Sequence, residues 1–227
     1  ALRFLSCFPE QSSWLLWHSS SGRADRKKQR NNFGRIRASA LQGHLYIEIG
    51  VEINGFIDSR KYQKKRNHIN QFYLRNEDVS FAPITSESIP QVQEFVANWY
   101  ARREETDPHG DFHMEKAALK KALENWEMLS MIGLMLKKGE EILAVTAGSF
   151  LSESAFDVHF EKALDRVDGT YAAINQGFAL HLKNQFPDLL WLNREDDMGL
   201  EGLRKAKLSY TPDHLVEKYW ARLWEEE

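Results

Sequence analysis

Residues 131 to 193 read MIGLMLKKGEEILAVTAGSFLSESAFDVHFEKALDRVDGTYAAINQGFALHLKNQFPDLLWLN, a run in which three strand patterns are followed by a helix and a fourth strand. Met131 to Lys137 and Glu141 to Phe150 are dense in apolar residues, and Lys138-Gly139 between them supplies a hairpin turn. Phe156 to Glu161 alternates: Phe156, Val158 and Phe160 project one way, Asp157, His159 and Glu161 the other. Thr170 to Lys183 carries the helical period, and Leu189 to Asn193 reads as a buried strand.

The elements on either side extend the pattern. Upstream, Val79 to Ile84 suggests a strand, and Ser88-x-x-Gln91 is the spacing of a capping box opening a helix with Val92, Phe95, Val96 and Trp99 on its apolar face. A loop over Glu104 to Phe112 leads to a second helix facing the core through Leu119, Ala122, Leu123 and Trp126. Downstream, Gly199 to Lys207 reads as a fourth helix and Leu215 to Leu223 as a final strand. From residue 79 the order is strand, helix, helix, three strands, helix, strand, helix, strand. That order predicts an α/β (α+β) domain, a mixed sheet with helices on both faces.

Charge divides the chain. The 227 residues carry a net charge of −3, yet residues 1 to 75 hold 14 Lys+Arg against 5 Asp+Glu, net +9, and the remainder is net −12. Leu45 to Ile53 alternates as a half-buried strand, ending at the turn-forming Asn54-Gly55. RKYQKKRNHINQFYLR, residues 60 to 75, has six basic residues and no acid, and part of it is expected to be a helix with a positive face. Residues 1 to 40 show no such periodicity: Pro9 interrupts an aromatic stretch, and Ser19 to Arg37 is a polar, basic run expected to be flexible. Two parts are expected, a poorly matching segment 1–57 and a domain 58–227. Residue 1 is alanine rather than methionine, as in a fragment or a processed chain.

Several classes fall away. Cys7 is the only cysteine, so an internal disulfide is impossible and a reducing, cytoplasmic setting is expected. No run approaches the ~18 apolar residues of a membrane span. The sequence has no P-loop, no Gly-x-Gly-x-x-Gly and no nucleophile elbow. Asp107-Pro-His109-Gly-Asp111-Phe-His113 alternates His and Asp but lacks the ligand spacing of recognised metal sites, and it reads as a solvated loop. No metal is expected.

The chemistry concentrates at two places. Three titratable side chains on one face of a strand central to a covered sheet imply a polar cleft, with His159 or Glu161 as proton carrier; an edge strand with that face in water gives the same pattern. Asn193 to Asp197 falls at a strand-to-helix junction, where side chains face the crevice of an open sheet. There Asp197 could cap the following helix, while Arg194, Lys205 and Lys207 stand near three acids as an ion-pair patch. Tyr210 serves packing or donates a hydroxyl.

RKYQKKRNHINQF (60–72), FDVHFEKA (156–163), GTYAAINQGFA (169–179) and NREDDMGLEGLRKAKLSYTP (193–212) resemble the signature blocks of a soluble bacterial family. That family is related to the C-terminal domain of phosphatidylglycerol lysyltransferase and, through it, to the Fem-type aminoacyl-tRNA-dependent ligases. The resemblance runs from about residue 59 to residue 223. It implies the fold of the GCN5-related N-acetyltransferases (GNAT) and transfer of an acyl or aminoacyl group to an amine or hydroxyl, a lipid headgroup or a small molecule. The residues it implicates in catalysis are His159, Glu161, Asp197, Lys207 and Tyr210. Asn175, Asn193, Arg194 and Lys205 would hold substrate, and Lys61, Lys64, Lys65 and Arg66 would meet the phosphates of a charged tRNA. Coenzyme A is disfavoured as donor, because the phosphate-binding position LDRVDGTY offers only Gly169 and brings Asp165 and Asp168. Two further readings stay open: a non-catalytic ligand-binding module on this fold, and a coenzyme A-dependent N-acetyltransferase.

Overall fold

The computed structural model describes residues 15–18, 36–40, 46–50, 63–108, 110–197, 199–210, 212–216 and 218–223. In chain order these form strands β1 (Leu15–His18), β2 (Ile36–Ala40) and β3 (Tyr46–Gly50), helix α1 (Gln63–Arg75), strand β4 (Val79–Pro83), and helices α2 (Ile89–Thr106) and α3 (His113–Glu124). Strands β5 (Ile132–Lys138), β6 (Glu141–Phe150) and β7 (Ala155–Ala163), helix α4 (Thr170–Gln185) and strand β8 (Trp191–Asp196) come next. Helix α5 (Glu201–Leu208) and strands β9 (His214–Val216) and β10 (Lys218–Leu223) close the series. The Asn54-Gly55 turn, Cys7, Lys61 and His109 lie outside the described residues.

The chain divides into two units, residues 49–195 and residues 1–48 with 196–227. The first holds a five-stranded mixed sheet in the order β4-β5-β6-β7-β8, antiparallel except for the parallel β7–β8 pair. Its hairpin turns at Gly139 with φ +57, a conformation glycine adopts without steric cost. Helices cover both faces. Neighbouring side chains on a strand project oppositely, and Glu161 meets Asn175 of α4 while Lys162 lies over Trp99 of α2. The core between these layers includes Phe72, Val92, Tyr100, Leu123, Leu136, Leu143, Phe156, Ile174, Phe178 and Leu182. This is the mixed α/β architecture expected from the order of elements.

In the second unit β10 is central to an antiparallel sheet, pairing with β1 and β2, and β3 pairs with β9. Strands β1 and β2 fall inside the stretch where the sequence has no periodicity; their partner comes from the far end of the chain. Leu215 to Leu223 is two strands rather than one.

Local expectations change at three points. The capping box does not form: Ser88 Oγ accepts from Thr85 N–H at 2.9 Å and donates to Thr85 O at 3.0 Å, while Gln91 reaches Glu140 O at 3.4 Å. Helix α2 runs to Thr106, through residues read as loop, since nothing between Glu104 and Thr106 stops a helix. Asp197 does not cap α5, whose N-cap is Leu200; its Oδ1 accepts from Gly199 N–H at 2.9 Å and Oδ2 from Arg204.

Candidate functional site

Strand β7 is the axis of the site, and its alternation is broken. Ala147 on β6 pairs with Phe160, and the next residue, Gly148, pairs with Val158, so His159 is an extra residue, a β-bulge. The bulge reverses the facing of the residues beyond it. Phe156 packs edge-on against Phe178 of α4 at 5.6 Å, and Glu161, five positions on, also meets α4. Asp157 and Glu161 therefore face opposite ways, which corrects the reading of Asp157, His159 and Glu161 as one row.

Strands β7 and β8 pair only from Ala155↔Trp191 to Asp157↔Asn193, and two side-chain bridges span them beyond that point. On one side, His159 Nδ1 lies 2.8 Å from Glu195 Oε1 and 3.7 Å from Asp157 Oδ2, and its Nε2 lies 2.9 Å from Ser149 Oγ. Ser149, Asp157 and Asn193 form one cross-strand row, because Ser149 pairs with Asp157 and Asp157 with Asn193. Asn193 Oδ1 accepts from Glu195 N–H at 2.7 Å and holds that residue at φ +52. The buried Asn193 Nδ2 has no hydrogen-bond partner among the described residues.

On the other side Arg194 grips Glu161 with both nitrogens, Nη2 to Oε1 at 3.0 Å and Nη1 to Oε2 at 3.2 Å, and Asn175 Nδ2 donates to Oε2 at 3.2 Å. Both side chains are largely buried, 11% exposed for Glu161 and 13% for Arg194. Lys65 of α1 joins this cluster. Burial first, then the Arg194 charge, lowers its amine to about 8 against the opposing pull of Glu161.

The implicated residues thus separate. His159 comes together with Glu195, and Glu161 with Arg194, Asn175 and Lys65. Lys64 is exposed, and Arg66 Nη2 donates to Gln63 Oε1 at 2.5 Å. Asp197, Lys205, Lys207 and Tyr210 belong to the second unit, where Asp197 is buried and ion-paired with Arg204, Lys205 is exposed, Lys207 is half-buried and Tyr210 is buried. Sequence reading did not single out Ser149 and took Lys65 for a phosphate contact. A signal existed for each: Ser149 is polar inside an apolar strand, and Lys65 lies on the stripe of the buried Ile69 and Phe72 at helical spacing.

Lys65 gives a test of the second cluster. Its folded pKa lies below the unfolded 10.5, so the cost of holding a charged amine is complete below about pH 8 and fades as pH rises toward 10.5. Lys65→Met is expected to stabilise the protein at pH 7 by about 1 kcal/mol, discounted for partial exposure. The gain should shrink to a small fraction of that near pH 10. Thermal melts with equal gains at both pH values would remove the buried-charge explanation.

Two features bear on cofactors. The α4 N-terminus is packed by α1: at Gly169, φ +88, a Cβ would come within 2.8 Å of Phe72 Cβ, and Asp168 pairs with His68 at 3.5 Å and Arg75 at 3.8 Å. Asp157, His159 and Glu195 each offer a ligand atom within 4.8 Å of the others and could hold a cation, though the same atoms serve the hydrogen bond already described. Among the described residues no helix is long and apolar enough to cross a membrane.

Known proteins share this architecture. A crystal structure of a conserved protein of unknown function from Bacteroides thetaiotaomicron is 36% identical, with a TM-score of 0.74 over 84% of this chain and 63% of that one. The L-PGS structure from Bacillus licheniformis is 16% identical, TM-score 0.57 over 86% of this chain and 63% of that one, a likeness of fold. An uncharacterized protein of Mycoplasmoides gallisepticum is 24% identical over 169 residues, 74% of this chain. The chain spans 52% of that curated relative and less than two thirds of either solved structure. The family model described as phosphatidylglycerol lysyltransferase, C-terminal, matches residues 54–222, nearly the whole of the sheet and its helices. By that match, over well more than half its length, the chain belongs to the family of phosphatidylglycerol lysyltransferase C-terminal domains, with their GNAT-like acyltransferase fold.

Proposed function

We propose that the chain transfers an aminoacyl group from a charged tRNA to an amine or hydroxyl acceptor. The observation that carries the reading is the pair of bridges between β7 and β8: a histidine engaged at both ring nitrogens on one side and, on the other, a buried carboxylate locked to arginine. Aminoacyl transfer starts from an activated ester, so the protein must position the acceptor, take its proton and stabilise the developing oxyanion. His159 is the proton acceptor. The amide of Asn193, in the same cross-strand row as Asp157 and Ser149 on the His159 side, offers a donor to that oxyanion. Packing of α1 against the α4 N-terminus supports a donor other than coenzyme A, because Phe72 lies close to Gly169 and Asp168 brings a carboxylate to the helix end where a pyrophosphate would have to bind. Lys64, exposed on α1, would meet tRNA phosphate.

The test supplies lysyl-tRNA carrying a labelled lysine, with phosphatidylglycerol vesicles or a soluble amine as acceptor, beside a reaction with labelled acetyl coenzyme A. Movement of the lysyl label is expected, lowered roughly a hundredfold or more by His159→Gln. Label moving only from acetyl coenzyme A would replace the donor by a thioester. No movement from either would end the reading.

A further inference from the structure

Ser149, His159 and Glu195 stand in the order nucleophile, base and orienting carboxylate. We propose that Ser149 is a covalent nucleophile that carries the acyl group between donor and acceptor; this rests on reading the site as one that transfers acyl groups.

Glu195 sets the proton positions. An ionised carboxylate accepts hydrogen bonds and cannot donate them, so the 2.8 Å contact with His159 Nδ1 places a proton on Nδ1. In the neutral ring Nε2 is then the lone-pair nitrogen, and the 2.9 Å contact with Ser149 Oγ is a hydroxyl donating to a base. A serine so placed is an activated nucleophile, and the third group fixes tautomer and ring orientation. The sequence has no nucleophile elbow because this serine is presented by a strand: it is next to last on β6, opposite the bulge that brings His159 across. Exposure rises along the triad, from 6% for Ser149 to 14% for the His159 side chain and 40% for that of Glu195. Asp157 Oδ2, 3.7 Å from Nδ1, adds a second negative charge that favours the imidazolium formed during reaction.

The steps balance. Ser149 Oγ attacks the carbonyl carbon of an activated ester, and its proton passes to His159 Nε2. The bond from carbonyl carbon to leaving oxygen breaks, the leaving alcohol takes the proton from Nε2, and the acyl group remains as an ester on Ser149. In the return half the acceptor amine attacks that ester carbonyl and gives a proton to Nε2. The bond to Oγ breaks, and Oγ recovers the proton.

A chromogenic ester tests this without the natural substrates. The full chain is mixed with p-nitrophenyl acetate, nitrophenolate release is measured in the first turnover, and the quenched protein is weighed and peptide-mapped. One acetyl group per chain, on the peptide containing Ser149, is expected. Ser149→Ala should abolish the adduct, Ser149→Cys should retain it, and Glu195→Gln should slow its formation by roughly a hundredfold or more. Thermal melts of each variant verify folding. An adduct that is absent, that maps elsewhere, or that persists in Ser149→Ala overturns the proposal. The aminoacyl-transfer assay fails separately: lysyl transfer without an acyl-serine leaves the transferase reading and removes the nucleophile, and the converse result does the opposite.

Discussion

Gly148→Ala is expected to cost about 4 kcal/mol or more of folding stability, a large share of the ~5–15 kcal/mol that holds a domain together. A Cβ built at Gly148 would stand 1.8 Å from the carbonyl oxygen of Asp157 and 2.7 Å from the Phe156 ring. The first obstacle is backbone on the adjacent strand, so no rotamer change clears it. Strands β6 and β7 would have to separate where the bulge interrupts their ladder, and the parting would open the core at Phe156 and pull Ser149 from His159. Gly202→Ala is the matched control: a Cβ there meets nothing within 4 Å, and alanine in helix α5 should be neutral or stabilising by up to about 1 kcal/mol. Urea denaturation of both variants decides the matter, and a Gly148→Ala loss no larger than about 1 kcal/mol would contradict the close approach of the strands.

Arg194→Met should be nearly as damaging, at about 3 kcal/mol, because it strips a buried carboxylate of its bidentate partner and leaves Asn175 to hold it. The pair itself is a weak source of net stability, since two charges must be desolvated to form it. Adding Glu161→Gln to Arg194→Met should therefore recover most of the loss, by removing the orphaned charge. Lys65 reports the same electrostatics with opposite signs. Arg194 lowers its pKa and Glu161 raises it, so the amine should titrate higher in Arg194→Met and lower in Glu161→Gln. Chemical-shift titration of the lysine side chains reads both shifts. Movement in the same direction in the two variants would show that Lys65 does not sit between those charges.

How much of this was legible in residues alone varies by element. The β5–β6 hairpin was readable because its turn is glycine and its strands are continuously apolar, both local properties. The polarity of β7 was readable for the same reason. The facing of its second half was not, because a bulge belongs to the pairing of two strands and leaves no mark in the alternation of one. Glu161 was consequently grouped with His159, though it bonds Asn175 and Arg194 on the other side. The role of Lys65 was obscured by composition: among six basic residues it reads as part of a positive face, and only the helical stripe shared with Ile69 and Phe72 distinguishes it. Strands β1 and β2 were beyond reach, since their hydrogen-bonding partner β10 begins some two hundred residues after β1.

The bulge also makes one position of β7 dispensable to the ladder. Deleting His159 would leave Val158 and Phe160 consecutive opposite Gly148 and Ala147, which is the arithmetic of an unbroken ladder, so residues on both sides would keep their facing. The strand has no structural need of the extra residue. It gains an imidazole placed against Ser149 and Glu195. A lineage that lost the histidine by deletion would therefore close the ladder without turning any neighbouring side chain to the other face, whereas a deletion at any regular position of β7 would turn every residue beyond it.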